Sequence, residues 1–131
     1  MSQENVEVVQ RAIAAVNERD VDGYLACCTP DMELVSPIAP LEGSASGAEG
    51  IRQWFAGLDE AQAEFRLDIE SLRAVGEDRV LALVQVVTVS RGGIPYSQPA
   101  ANVYDLVGAK LRRVRVYLDR NAALETLGLR D

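Results

Sequence analysis

Residues 101–120, ANVYDLVGAKLRRVRVYLDR, decide how the rest of the chain can fold. Apolar and polar residues alternate up to Val107, Gly108 and Ala109 interrupt the run, and alternation resumes from Leu111 to Leu118. That pattern predicts two antiparallel strands joined by a tight turn. A three-residue loop would pair Tyr104 with Arg112 and Asn102 with Val114. Because side chains alternate along a strand, Asn102, Tyr104, Val114, Val116 and Leu118 then share one face, and Val103, Asp105, Arg113, Arg115 and Tyr117 share the other. The first face is apolar with one amide and one phenol; the second is charged.

On the C-terminal side the second strand ends at Asp119, a natural cap for a closing helix over 121–129. On the N-terminal side the first strand starts at Pro95, with Pro99 expected at a bulge because it cannot donate to a ladder. Gly92-Gly93 makes a turn, and Val80 to Val89, apolar apart from Gln85 and Thr88, predicts a central strand covered on both faces. Gly76-Glu77-Asp78 makes another turn, preceded by a strand in which Phe65, Leu67 and Ile69 alternate with Arg66, Asp68 and Glu70.

Before Glu64 the period is helical. Ile51, Trp54, Phe55 and Leu58 form one stripe, which Ser46 and Glu49 would start as a capping box. Residues 37–47, PIAPLEGSASG, read as a loop whose glycines match neither a dinucleotide fingerprint nor a P-loop. Asp31 to Ser36 predicts a short strand. Asp20 caps a short helix that carries Tyr24, Leu25, Cys27 and Cys28 and stops at Thr29-Pro30. Val6, Val9, Ile13 and Val16 predict an amphipathic helix over about 3–18, with Ser2 as its cap. Helices segregated from a mostly antiparallel sheet make the chain α+β, one domain over 1–131. The expected shape is a cone, a curved antiparallel sheet wrapped around the N-terminal helices.

The net charge of −7 over 131 residues argues against nucleic acid and anionic membranes, which want basic surfaces. No run approaches the ~20 apolar residues that span a bilayer. The start MSQENVEVV lacks a basic region and a hydrophobic signal core, so a cytoplasmic location is expected. Adjacent Cys27 and Cys28, with α-carbons ~3.8 Å apart, are expected to be free thiols. With no histidine and only two cysteines, neither a metal site nor a Ser-His-Asp or Cys-His mechanism is expected, and nothing calls for a cofactor.

Several segments together resemble the SnoaL-like group of the nuclear transport factor 2 superfamily over essentially the full length. They are Val8-Val9-Gln10-Arg11 through Asn17-Glu18-Arg19-Asp20, the Thr29-Pro30-Asp31 turn, Gly47 to Phe55, and Val116-Tyr117-Leu118-Asp119-Arg120 to Glu125. The resemblance implies the cone fold and a homodimer through the outer sheet face, where Arg113, Arg115 and Tyr117 lie. It does not imply one activity, because a fold hosts many. In the ketosteroid isomerases of the superfamily, a tyrosine donor falls on Ala12, the general-base aspartate on Ser36, and a protonated aspartate on Asn102. Steroid-type isomerisation needs a carboxylate base opposite paired oxyanion donors, so the resemblance carries the fold without that mechanism.

The candidate site is therefore the apolar face of the central hairpin. Asn102 and Tyr104 either hydrogen-bond a carbonyl or hydroxyl of a small ligand or are satisfied within the fold by backbone or water. Trp54, Tyr24 and Ser36 either line an apolar pocket with them or belong to plain core. Asp119 is a weak candidate base and an obvious helix cap; Asp105 is expected in a surface ion pair with Arg113. Two functions follow: a module binding a small apolar molecule, or a cofactor-independent isomerase, cyclase or lyase acting on a hydrophobic carbonyl compound.

Overall fold

The computed structural model describes residues 2–36 and 43–129. Helix α1 (Ser2–Glu18) buries its predicted stripe, with Val8, Val9, Ala12, Ile13 and Val16 all in the core. It ends at Arg19, which adopts a left-handed φ of 58°. The Arg19 amide donates to the Val16 carbonyl at 3.1 Å and the Asp20 amide to Ala15 at 2.8 Å, a helix stop that glycine usually makes. Arginine tolerates the conformation because its guanidinium donates to the Val16 and Phe65 carbonyls at 2.6 and 2.9 Å and pairs with Asp59. Asp20 then caps α2 (Val21–Ala26), accepting from the Gly23 amide at 2.9 Å.

The second helix stops earlier than the proline suggested. Cys27 is its C-cap, and Cys28 already opens β1 (Cys28–Ser36). Pro30 therefore lies inside a strand. It is tolerated because the parallel pairing with β6 is irregular between Cys28 and Glu33, and β2 joins only from Glu33, so no ladder needs its missing N–H. Both cysteines are free.

The predicted loop over 37–47 lies outside the described residues as far as 42, and its end forms β2 (Gly43–Ser46), pairing Ser46 with Glu33. Gly-Ser-Ala-Ser has little strand propensity, so this strand exists only through its partner. Gly47, at a φ of 69°, turns the chain into α3 (Gly47–Ala61).

Four long strands follow: β3 (Gln62–Val75), β4 (Arg79–Ser90), β5 (Pro95–Val107) and β6 (Lys110–Tyr117), with α4 (Arg120–Thr126) closing the chain. They join β1 and β2 in one curved, open, six-stranded sheet of order β2-β1-β6-β5-β4-β3, antiparallel except between β1 and β6. The expected α+β architecture holds. In the central hairpin the register differs: Tyr104 pairs with Val114 and Asn102 with Val116. The turn has two residues, Gly108 and Ala109, both at positive φ (57° and 61°), and a bulge follows between Asp105 and Leu106. The two departures add to a displacement of two residues, which leaves the paired strand residues on their predicted faces, while Leu118 lies past the end of β6 and is exposed.

Pro99 sits in regular pairing with Gln85, not at a bulge. Strand β6 reaches β5 only from Ala101, so the proline's other flank has no ladder to interrupt. Strand β3, on the other side of β4, does carry a bulge, with Glu70 the extra residue between Ile69 and Ser71. Arg120 ties α4 to that point, pairing with Glu70 at 3.1 Å and donating to the Val84 and Ala100 carbonyls at 2.8 and 3.3 Å. Its guanidinium holds the Glu70 carboxyl below the usual range, assisted by Gln85.

Helices α1 to α3 cover the concave face of the sheet, where the main core lies. On the other face α4 covers Leu81, Ala101 and Val103, with Tyr117 packed alongside. The two-sided cover expected for all of β4 is thus restricted to its start, and Val87 and Val89 are half-exposed. Asp105 pairs with Arg79 and Arg115 at 3.3 and 3.6 Å rather than with Arg113, which reaches Glu33 on β1 at 3.0 Å. Strand β6 lies between β5 and β1, so its arginines choose between two carboxylates. No helix among the described residues is long and apolar enough to cross a membrane.

Strand β3 is a sheet edge, and α1 manages it. Asn17 accepts from the Leu67 amide at 2.8 Å and donates to the Leu67 carbonyl at 3.0 Å, replacing a missing neighbour strand. Asn17→Ala leaves both groups half-buried and unpaired. It is expected to lower unfolding stability by about 1–3 kcal/mol, read as a lower denaturant midpoint at unchanged slope.

Candidate functional site

Alternation along β5 puts Asn102 and Tyr104 on the concave face, and the helices roof that face without filling it. The result is a cavity with about 50 Å³ in which the centre of a water molecule can move. It has room for several waters or part of a small ligand. Asn102, Tyr104, Trp54, Ser36 and Tyr24, the predicted ligand-binding residues, all line it. Asp119 does not: its carboxylate accepts from the Asn121 and Ala122 amides at 2.9 and 3.4 Å, as the cap of α4. Ala12, Ser36 and Asn102, the three positions singled out by the isomerase comparison, also meet here.

The remaining wall is apolar, with Leu34 from β1, Phe65 and Leu67 from β3, and Val86 from β4. Thr88 adds a hydroxyl, which in the sequence is only an interruption of an apolar strand. Its parity with Val86 was the available signal, but the register that aims β4 at the cavity could not be read without the tertiary structure. Aromatic edges brace the wall: Trp54 meets Phe55 and Phe65 at centroid distances of 5.4 and 6.3 Å, and Tyr24 meets Phe55 at 5.4 Å.

Among the described residues the lining contains no carboxylate and no cationic side chain. Its ionisable groups are two phenols. Burial pushes Tyr24 well above the ordinary tyrosine range, with the neighbouring Tyr104 and the thiols of Cys28 and Cys27 adding to the shift. Burial pushes Tyr104 up to about 12, opposed by the hydrogen bond from Asn102. Both phenols are therefore neutral near pH 7, able to donate hydrogen bonds and unable to act as bases. Burial also pushes the Cys28 thiol up to about 12, so it is no ready nucleophile. No group of three or more His, Cys, Asp or Glu side chains that could hold a metal gathers among the described residues.

Asn102 and Tyr104 meet each other. The Asn102 Nδ2 donates to the Tyr104 hydroxyl oxygen at 3.1 Å, and both residues are buried. The Asn102 Oδ1 is buried without a hydrogen-bond partner. The amide is thus only half used by the fold. Asn102→Val removes one hydrogen bond together with one orphaned acceptor. The expected stability change is within about 1 kcal/mol, in contrast to Asn17→Ala, and the same denaturation measurement checks it.

A family model described as the SnoaL-like domain matches residues 9–114. A search of curated proteins finds no match. Solved structures of similar fold include TerC crystallised with polyporic acid, 24% identical, with a TM-score of 0.81 over 95% of this chain and 98% of that one. They also include a nuclear transport factor 2-like protein of unknown function from Burkholderia pseudomallei, 18% identical, with a TM-score of 0.81 over 95% and 97%. A Catenulispora acidiphila protein of ketosteroid isomerase-like fold, in complex with trimethylamine, is 20% identical with a TM-score of 0.77 over 95% and 94%. At these identities the likeness concerns the fold.

Proposed function

Since the chain belongs to the SnoaL-like domain family, whose model matches residues 9–114, we propose that it binds a small, uncharged, hydrophobic molecule in the cavity between the helices and the sheet. The observation that carries this reading is the lining: an apolar wall with hydroxyls and one amide, and no formal charge among the described residues. Such a site favours a neutral ligand, because an ion would lose its hydration and find no counter-charge. The catalytic alternative is a cofactor-independent isomerase, cyclase or lyase acting on a hydrophobic carbonyl compound. It draws on the same two phenols, which can donate to a carbonyl oxygen, but Ser36 offers a hydroxyl where that chemistry wants a carboxylate base.

Trp54 is the only tryptophan and lies on the cavity wall, so its fluorescence reports occupancy directly. A library of neutral hydrophobic carbonyl compounds is expected to contain members that quench it. Their affinity should be flat from about pH 6 to 9, since neither phenol titrates there. Absence of quenching across the library would defeat the binding reading, and turnover of a hit would favour the enzyme.

The same proposal includes a homodimer through the outer sheet face. Its support is the strip beside α4, where Arg113 and Arg115, paired with Glu33 and Asp105, and Tyr117 alternate along β6 and stay half-exposed. Light scattering at micromolar concentration is expected to give twice the chain mass of 14.2 kDa, and a monomer mass would refute it. The two free thiols suit a reducing compartment such as the cytoplasm.

A further inference from the structure

The polar pair on β5 is an island. Directly across from Asn102 stand Ala82 on β4 and Val116 on β6; across from Tyr104 stand Val80 and Val114. No neighbouring strand therefore offers a polar side chain opposite the amide, and the Asn102 Oδ1 is left buried without a hydrogen-bond partner. Asn102 as a whole is 4% exposed and lines the cavity. The hydrogen bond from Nδ2 occupies a lone pair of the Tyr104 oxygen and leaves the phenol's own proton available. The pair thus presents two complementary functions side by side, an O–H that wants an acceptor and a carbonyl that wants a donor.

A plain ketone answers only the first. It takes the Tyr104 proton but leaves the Oδ1 as it stands in the empty protein, buried with no donor, and so gains one hydrogen bond where two are on offer. A carboxylate sets its negative charge against the same oxygen. A hydroxyl next to a carbonyl answers both, because its carbonyl accepts from Tyr104 while its O–H donates to Asn102. We propose that Asn102 and Tyr104 select a neutral hydrophobic molecule carrying a hydroxyl adjacent to a carbonyl over the corresponding plain ketone. This rests on the reading of the cavity as a binding site for an uncharged hydrophobic ligand, and it adds which polar pattern that ligand carries.

The test uses matched probes on phenyl, naphthyl and diphenyl frames, each as the ketone, the α-hydroxyketone and the α-methoxyketone, with Trp54 quenching as the readout. On every frame that binds, the α-hydroxyketone is expected to bind at least about tenfold tighter than both relatives. The methoxy compound separates loss of the donor from added bulk. Asn102→Leu should bring the hydroxyketone and the ketone within about twofold of each other, and the comparison within the unaltered protein stands even if that variant fails to fold. Equal binding of hydroxyketone and ketone, the result if an ordered water serves the Oδ1, overturns the inference and leaves the pocket reading intact. Binding of no frame overturns both.

Discussion

The Asn17 side chain binds both the amide and the carbonyl of Leu67, and the position of the cavity depends on that pairing. A sheet edge with nothing beside it exposes a row of unpaired backbone groups. Here the C-terminal end of α1 occupies the edge, and Arg19 extends the attachment to the Phe65 carbonyl. Both contacts exist because α1 stops where it does, with Arg19 held left-handed by the Val16 and Ala15 carbonyls. A helix pinned at one end to the edge of a curved sheet roofs the concave face without lying flat on it.

The space under that roof is electrically quiet. Among the described residues its polar lining groups are two phenols, two aliphatic hydroxyls, one amide and the indole of Trp54. The charges of a chain with net charge −7 are spent on caps and ion pairs elsewhere: Asp20 and Asp119 on helix ends, Asp105 and Glu33 on the arginines of the outer face. Burial holds the phenols protonated, so the wall can donate hydrogen bonds and does little else near neutral pH. This is chemistry suited to holding and orienting an uncharged molecule.

The far side of the sheet has a different economy. Helix α4 covers the apolar start of β4 and the middle of β5, and Arg120 fastens it at the level where Glu70 bulges out of β3. Bulges bend and twist a strand, so the attachment of the last helix and the curvature of the sheet meet at one ion pair. The same sheet therefore has a hollow inner face and an outer face divided between a helix and a charged strip.

By itself the sequence determined the elements and the faces. Periods of 3.6 and 2 are local properties, and they placed the stripe of α1, the Asp20 and Asp119 caps, and Asn102 and Tyr104 on one apolar face with Val114 and Val116. Even a register wrong by two residues kept those faces, because strand side chains repeat every two. Tertiary structure decided what local pattern cannot encode. Strand β2 has no propensity of its own and forms against β1; β1 could begin before Pro30 because no neighbour needed that nitrogen; Arg113 chose Glu33 over Asp105 because β1 came to lie beside β6. The half-used amide of Asn102 is of the same kind. Whether a buried acceptor finds a partner depends on what three strands and three helices bring within reach of it, and the sequence states only that it is there.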